Sequence, residues 1–277
     1  RRRGAHKKHS LAKEKSCLVA GMPCSSELCE YAAGYYDKLP KAVEQLIQQG
    51  GVVDQAQIEV VARAHKVCPF ELSLDLATWS DLIIGDYNYI FDPVVRLQRF
   101  IAQPNMHLLV DEAHQLSPRV QSMLAVQVNS VEIRTAKTTK NKLMLKRVTS
   151  LERAIKKIAK GLDEGEHSVT QTDTLDRAVS RFLENYDHAE QLEDPEEDLE
   201  RLYFACLRWA KGASWFEKKR FRYLVEVRDK NIQVRQVCLD SGHYAAQVMS
   251  EYASTVRFSA TVSPLAVYQQ LHGQVTK

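Results

Sequence analysis

The stretch LLVDEAHQL, residues 108–116, decides the fold class that the sequence predicts. Its first three residues form an apolar run without polar alternation, which is typical of a parallel strand covered on both faces. Two acids, Asp111 and Glu112, follow at the point where this strand ends. In nucleotide hydrolases such a strand end supplies one acid for Mg²⁺ and a neighbour that positions the attacking water. The stretch therefore predicts half of a nucleotide site at the edge of an α/β sheet.

The same stretch has a plainer interpretation, and the other half of a nucleotide site is not found in the sequence. An acidic pair after a buried strand also suits a helix start, because carboxylates are stabilised at the positive end of a helix. His114, two residues further on, is a candidate for sensing the γ-phosphate or the neighbouring segment. A phosphate-binding loop would need a Gly-Lys-Ser or Gly-Lys-Thr string, and the chain has no Gly-Lys pair.

Two further apolar runs predict strands beside the first. The run in DLIIGDYNYIFDP predicts a strand near 82–85, and the run in STVRFSATVSP predicts one near 255–258. We expect both to share one parallel sheet with the strand near 107–110. Ser259 and Thr261 then lie at a strand end, where their hydroxyls can hydrogen-bond an acidic site and relay its state. A plain helix cap is the alternative for these two residues.

Four of the six cysteines, Cys17, Cys24, Cys29 and Cys68, lie in one segment with the spacing C-x6-C-x4-C-x38-C. Thiolates at this density suggest a metal site. Neither short gap is the C-x2-C that is typical of structural zinc, which favours a [4Fe–4S] cluster and leaves zinc as the alternative. Buried, unligated thiols are a further alternative. The other two cysteines are isolated and are expected in apolar cores: Cys206 and Cys238.

Aromatic and basic residues accompany these cysteines. Tyr35, Tyr36, Arg63 and Lys66 are candidate contacts to single-stranded nucleic acid, because rings stack on bases and cations hold phosphates. Ordinary packing of tyrosine in a small module is the alternative. The surrounding sequence predicts a helix in KAVEQLIQQGG ended by the glycine pair. It predicts a second helix in DQAQIEVVARAHK, which begins at an Asp54 N-cap with a glutamine three residues later.

A mainly helical insert is predicted from about 128 to 215, since apolar residues recur there at three- and four-residue steps. A β-hairpin follows in FRYLVEVRDKNIQVRQVCL, which alternates and is split by Asp-Lys-Asn. Charge is unevenly distributed: residues 131–160 hold ten Lys or Arg against two acids, whereas residues 184–200 hold nine acids and no Lys or Arg. Basic blocks of this kind indicate a polyanion partner, with solvated helix faces as the alternative.

The bulk composition is that of a folded protein without a membrane span. Hydrophobic residues make up 44% and charged residues 26% of the 277 residues, which is ordinary for a globular chain. No run of about 18 apolar residues exists, so a transmembrane helix is not expected. The basic start, RRRGAHKKHSLAKEK, has no apolar core behind it and is not a secretory signal. We therefore expect a reducing compartment, cytoplasmic or in the nucleoid or nucleus, with disulfides disfavoured.

The order of these motifs resembles the XPD/DinG family of superfamily 2 DNA helicases. The resemblance covers roughly 10–127 and 236–270, whereas the insert between them matches only in position and helical character. The elements that carry it are, in order, the four cysteines, VCPFE, SDLIIGDYNYIFDP, LLVDEAHQL, the helical insert and VRFSATVSP.

This resemblance implies an α/β fold: a partial RecA-like parallel sheet with an inserted Fe–S cluster domain and a mainly helical arch insert. It implies that Cys17, Cys24, Cys29 and Cys68 bind a [4Fe–4S] cluster. Asp111, Glu112 and His114 would act on ATP and Mg²⁺, and Ser259, Ala260 and Thr261 would couple hydrolysis to unwinding. The implied domains are 1–78 with the lead-in and cluster, 79–127 with the DEAH box, 128–237 as the arch, and 238–277 with the Ser-Ala-Thr motif.

The resemblance also implies an activity and its partners. Family members are ATP-dependent DNA helicases that translocate 5′ to 3′ on single-stranded DNA, threading it past the cluster domain and arch, so single-stranded or forked DNA is the expected partner. The family's phosphate-binding loop and second motor domain have no counterpart in this sequence. We therefore expect a fragment of a helicase that needs the missing motor segments and that hydrolyses no ATP alone.

Three alternatives stay open beside the helicase fragment. One is a non-catalytic interaction or regulatory module, containing zinc or a cluster, that docks protein rather than DNA. Another is a 3′–5′ exonuclease of the DinG-like kind, against which four intact cysteines argue. The third is a zinc-binding regulatory domain, which its colour and metal content would distinguish from a cluster protein.

Overall fold

The computed structural model describes residues 17–19, 24–97, 105–189 and 196–273. The chain divides into two units, and each is described by itself. The first unit consists of Arg1–Asp86 with Leu97–Ala102, and the second consists of Tyr87–Arg96 with Gln103–Lys277.

Three helices form the first unit: α1 (Tyr35–Gln49), α2 (Gln55–His65) and α3 (Pro69–Ala77). Helix α1 begins six residues before the predicted KAVEQLIQQGG segment and tolerates Pro40 inside it. It ends at Gly50, as predicted, where a φ of 62° suits glycine. Their shared core is apolar and includes the following side chains: Ala42, Leu46, Val61, Ala62, Val67 and Leu72.

The start of α2 is the predicted capping box. The Asp54 side chain accepts a hydrogen bond from the Gln57 amide at 2.9 Å, and the Gln57 side chain accepts one from the Asp54 amide at 2.9 Å. Helix α2 ends at His65, and Pro69 occupies the first turn of α3 with Cys68 as its N-cap residue. Proline lacks an amide hydrogen that the first helical turn would leave unpaired, so it starts α3 without loss.

The predicted strand near 82–85 is wrong. Residues 82–86 have no regular secondary structure, and the side chains of Leu82 and Ile84 are 68% and 88% exposed. The described part of the first unit contains helices and no strand with which this run could pair. An apolar run predicts burial, but a strand also needs a neighbouring backbone to satisfy its hydrogen bonds.

The second unit begins with the predicted parallel pair. Strand β1 (His107–Val110) pairs in parallel with β6 (Ser254–Arg257), with Val110 opposite Arg257. Four helices accompany this pair and enclose a core of apolar side chains such as Phe91, Val110, Val120, Val248 and Met249. These helices are α4 (Asn88–Phe91), α5 (Leu116–Leu124), α10 (Gly242–Ser250) and α11 (Leu265–Leu271).

Between α5 and α10 lies the insert, which combines helices with an antiparallel sheet. The predicted hairpin is confirmed as β4 (Phe221–Arg228) and β5 (Asn231–Cys238). Its turn places Asp229 and Lys230 at φ values of 48° and 63°, the left-handed conformation of a tight hairpin turn. The helices are also confirmed, as α6 (Ser130–Thr135), α7 (Lys142–Ile158), α8 (Asp173–Ala189) and α9 (Glu197–Ser214).

Two strands of the insert were not predicted, β2 (Val126–Asn129) and β3 (Gly165–Val169). They complete a four-stranded sheet in the order β2-β5-β4-β3. Both are short, and β3 reads GEHSV, which is too polar to show alternation. Only their pairing with the hairpin makes them strands.

The insert has a core of its own, in which the helices pack on one another and on the sheet. Trp209 is buried and donates from its indole nitrogen to Asp176 at 2.7 Å. The backbone of Gly212 lies so close to β2 that a Cβ there would approach Val126 to 2.5 Å. Cys206 and Cys238 are both buried, as predicted, and burial raises the pKa of the Cys238 thiol to about 11.

Candidate functional site

The parallel pair continues beyond the ends of its two strands. The Phe258 amide donates to the Val110 carbonyl at 3.0 Å, and the Ala113 amide donates to the Phe258 carbonyl at 3.0 Å. The Asp-Glu-Ala-His turn is therefore held on the backbone of the Ser-Ala-Thr segment. Two stretches far apart in the sequence meet at one edge of the sheet.

The backbone of the turn separates the two acids. Glu112 has a φ of 48°, in the left-handed region that non-glycine residues rarely adopt. The Asp111 side chain accepts from the Glu112 amide at 2.7 Å, and the Asp111 carbonyl accepts from the Tyr87 hydroxyl. Arg119 stacks on the Tyr87 ring, 5.4 Å from its centroid. These contacts hold the turn in one conformation. Within it, the backbone conformation of Glu112 differs from that of Asp111.

Ser259 joins the acid and the histidine of the turn. Its hydroxyl lies 2.8 Å from Nδ1 of His114 and donates to Oε2 of Glu112 at 3.2 Å. Nδ1 of His114 also lies 3.2 Å from the same Glu112 oxygen. The Glu112 side chain is 64% exposed, so this carboxylate stays open to solvent while one oxygen is held. The arrangement can orient a carboxylate and transmit its displacement to the strand end.

The remaining predicted residues of the site, Asp111, Ala260 and Thr261, are exposed. Asp111 is exposed beside Glu112, as a metal-binding carboxylate would need to be. Ala260 and Thr261 are exposed at the end of β6, and the Thr261 amide lies 3.5 Å from the Ser259 hydroxyl. Of the three residues in the Ser-Ala-Thr motif, only Ser259 is brought onto the acids by its side chain in the described hydrogen bonds.

Sequence reasoning missed His272, which supports the turn from behind. Its side chain is 2% exposed and makes a hydrogen bond with the backbone of Ala113. Burial, followed by the charge of Arg257, lowers the pKa of the His272 imidazole, and the Ala113 contact opposes that shift. Its Nε2 has no hydrogen-bond partner among the described residues. The neighbouring glycine, with a φ of 72°, allows α11 to approach α10 at this point.

The cysteine segments of the first unit are linked by a lysine. The Lys38 ammonium donates to the Ala33 carbonyl at 2.7 Å and to the Lys66 carbonyl at 3.2 Å. Lys66 in turn pairs with Glu30 at 2.9 Å. These bonds tie the loop that follows Cys29 to the segment that precedes Cys68, so two of the four cysteine-bearing segments are held together.

The four thiols themselves are not gathered into a ligand set. Within the described residues, no three His, Cys, Asp or Glu side chains are placed to hold a metal ion. The Cys17 thiol donates to the Val19 carbonyl at 3.0 Å, and Cys68 is partly buried against the helical core. No disulfide joins any of the six cysteines. Four thiols are suitable ligands for an iron–sulfur cluster. The Lys38 hydrogen bonds hold together two of the segments that carry these cysteines.

The candidate nucleic-acid contacts divide between core and surface. Tyr35 is 8% exposed and its hydroxyl donates to Asp75 at 2.8 Å, so its ring packs inside the unit. Burial, followed by the Asp75 carboxylate, raises the pKa of Tyr35 well above its usual value. Tyr36 is 81% exposed and presents a free ring face. Arg63 and Lys66 are exposed, each near a glutamate.

Comparisons with known proteins find similarity to helicases. Residues 3–133 match the family model described as DEAD_2. Over 124 residues the chain is 26% identical to a regulator of telomere elongation helicase 1 homologue of Culex quinquefasciatus, covering 44% of this chain and 13% of that protein. The homologue of Anopheles gambiae is 24% identical over 127 residues, covering 46% of this chain and 13% of that protein.

A solved structure titled XPD helicase covers 92% of this chain with a TM-score of 0.54 and 17% identity. The family model covers a little under half of the chain, which is therefore similar in part to helicases of this kind. The structural match spans 46% of the XPD helicase chain and at this identity concerns the fold alone. It confirms the predicted class, an α/β RecA-like fold with a helical insert. The matched region spans about an eighth of the length of these curated relatives.

No helix in the described part of the chain is long and apolar enough to cross a membrane.

His272 makes the stability of the second unit depend on pH. Because its folded pKa lies below the usual value of 6.5, the unfolded chain binds a proton at higher pH than the folded chain does. The free energy of unfolding should therefore fall as the pH drops below about 6.5 and level off below the folded pKa. Urea unfolding of the unsubstituted chain and of His272→Gln, which cannot titrate, measures this slope.

The exposed His243 supplies the matched control. His243→Gln should keep the slope of the unsubstituted chain, whereas His272→Gln should flatten it between about pH 7.5 and pH 5.5. An unchanged slope in His272→Gln would show that other groups set the pH dependence.

Proposed function

We propose that the chain is part of the motor of an ATP-dependent DNA helicase that unwinds DNA in the 5′ to 3′ direction. The observation that carries the proposal is the bond from Ser259 to Glu112 and His114 at the shared edge of β1 and β6. This bond joins the acidic turn after β1, whose residues are typical of nucleotide hydrolases, to the segment that follows β6. The match of residues 3–133 to the DEAD_2 family model and the similarity to telomere elongation helicase homologues support the same activity.

Each side chain of this edge has a proposed role. Asp111 would hold Mg²⁺, which would neutralise charge on the phosphates of bound ATP. Glu112, with an exposed carboxylate held through one oxygen, would position the attacking water. His114 and Ser259 hold that oxygen and report its displacement to β6. Ala260 and Thr261 complete the coupling segment without contacting the acids.

We propose that the first unit binds a [4Fe–4S] cluster through Cys17, Cys24, Cys29 and Cys68. The cluster would tie together loops that the small helical core reaches poorly. The Lys38 bonds to the Ala33 and Lys66 carbonyls support this, because they hold two of the cysteine-bearing segments in place. Cys29 and Cys68 are the best supported ligands.

Single-stranded or forked DNA is the proposed partner, threaded past the cluster domain and the arch. Tyr36 offers a stacking surface, while Arg63 and Lys66 offer charge to phosphates. Tyr35 supports this surface from the core, where it lies edge-on against Tyr36 with centroids 5.3 Å apart. The relatives named as regulators of telomere elongation support a nuclear location.

Glu112→Gln tests the proposed chemistry in a protein that carries this chain together with a phosphate-binding loop and a second motor domain. Loss of the carboxylate should lower DNA-stimulated ATP hydrolysis by at least about 100-fold, since a general base contributes that much or more. DNA binding should persist. Glu184→Gln, a matched change at an exposed residue of α8, should hydrolyse ATP like the unsubstituted protein. Full ATP hydrolysis by Glu112→Gln would overturn the assignment.

Anaerobic purification of the chain tests the cluster. The protein should be brown and contain about four irons and four sulfides per chain. Cys68→Ala should lose most of the iron, whereas the buried Cys206→Ala should keep it, with circular dichroism confirming that both fold. A colourless protein with zinc in place of iron would contradict the cluster and favour a zinc-containing regulatory module.

A further inference from the structure

One face of helix α7 carries a row of cations. Lys142, Lys146, Arg153 and Lys157 are all exposed, and at 100° per residue they fall within a sector of about 60°. We call these four side chains the basic stripe. The opposite face of α7 packs into the insert core through Met144, Val148, Leu151 and Ile155. At about 1.5 Å per residue the stripe is roughly 22 Å long.

Within the described residues, the cations of the stripe have no acidic partner. Helix α7 contains one acidic residue, Glu152, which pairs with Lys137 and, at 2.9 Å, with Lys156. These two lysines lower the pKa of Glu152, Lys137 more than Lys156. Among the described ion pairs, none includes a stripe residue. By contrast, the exposed Arg201 of α9 pairs with Glu197 one turn away.

This placement opposes the stability of the helix. Lys142 with Lys146, and Arg153 with Lys157, are like charges four residues apart, a spacing that disfavours a helix. Lys142 is also the first residue of α7, where the helix dipole disfavours a cation. The Asn141 side chain compensates at that end by accepting from the Leu143 and Met144 amides at 3.0 and 3.1 Å. An anionic partner would remove the repulsion that remains.

We propose that the basic stripe binds the phosphate backbone of DNA without reading its bases. The proposal rests on the proposed function, which supplies DNA as the partner, and it locates the contact on α7. Within each pair the cations are about 6 Å apart along the helix, and the pairs are centred about 16 Å apart. Such a row can follow successive phosphates of a strand, whose neutralisation alone supplies sequence-independent affinity.

The make-up of the stripe favours DNA over an acidic protein. Protein interfaces draw much of their affinity from buried aromatic anchors surrounded by a rim. Helix α7 contains no aromatic residue, and the middle of the stripe holds Thr149, whose hydroxyl donates to the Leu145 carbonyl at 2.8 Å. Contacts to phosphates alone carry no information about the bases, so binding by the stripe should be independent of sequence.

A pair of matched variants tests the stripe in the complete chain. K146Q/K157Q removes two stripe lysines, and K218Q/K219Q removes two exposed lysines from the loop before β4. Affinity for a fluorescent single-stranded oligonucleotide is measured against salt concentration. K146Q/K157Q should weaken binding and flatten the slope of log K against log salt by about 1.4, at about 0.7 for each phosphate that a lysine no longer neutralises. K218Q/K219Q should keep the original slope.

A second measurement uses the unsubstituted chain, so that it does not depend on how the variants fold. Acetylation of lysines with and without the oligonucleotide should show protection at Lys142, Lys146 and Lys157 and none at Lys218 or Lys219.

The possible results distinguish failure of the stripe proposal from failure of the proposed function on which it rests. Equal slopes for the two variants, or no protection at the stripe while the chain still binds DNA, would overturn the stripe and leave the proposed function standing. Tighter binding of a polyglutamate peptide than of DNA at equal salt would also overturn it. A chain that binds no oligonucleotide at low salt would overturn both the stripe and DNA binding by this part of the motor.

Discussion

The parallel pairing of β1 with β6 is the constraint on which the rest of the structure depends. Parallel strands need a crossover, and here the crossover includes the entire insert. Closing a flexible loop of that length costs conformational entropy. The insert lowers this cost because its first and last strands pair, with Val126 opposite Gln236. The chain therefore leaves and re-enters the core around β1 and β6 at neighbouring points, and the close approach of Gly212 to Val126 packs α9 against that junction.

The functional edge follows from this pairing. Once Val110 and Arg257 are in register, the backbone bonds of Phe258 place the acidic turn against the strand end, and Ser259 lies beside Glu112 and His114. The left-handed Glu112 and the buried His272 both stabilise one conformation of the turn. Strained backbone that its surroundings hold in place is common at functional sites. Changes within the insert should therefore leave this edge of the parallel pair intact, provided that β2 and β5, at the two ends of the insert, stay paired.

Local patterns and the parallel pairing of β1 with β6 were predicted from the sequence, whereas the side-chain contacts between distant segments were not. The Asp54 capping box, the hairpin turn and the apolar strand before Asp111 each depend on a few neighbouring residues. The run at 82–85 was assigned to a strand because its residues are apolar, although pairing depends on a partner that local sequence does not specify. Ser259 could be placed at a strand end, but its two hydrogen bonds depend on register. The spacing of the four cysteines indicates thiolate chemistry without giving the positions of the thiols, which the structure does not gather.

The central claim is that the Ser259 hydroxyl connects hydrolysis at the acidic turn to movement of DNA. The direct test is the number of base pairs unwound per ATP hydrolysed, in a protein that joins this chain to its complete motor. Ser259→Ala should lower this ratio several-fold while ATP hydrolysis continues, and Ser259→Thr, which keeps a hydroxyl, should restore most of it. An unchanged ratio in Ser259→Ala, or an equal loss of hydrolysis and unwinding, would contradict the account.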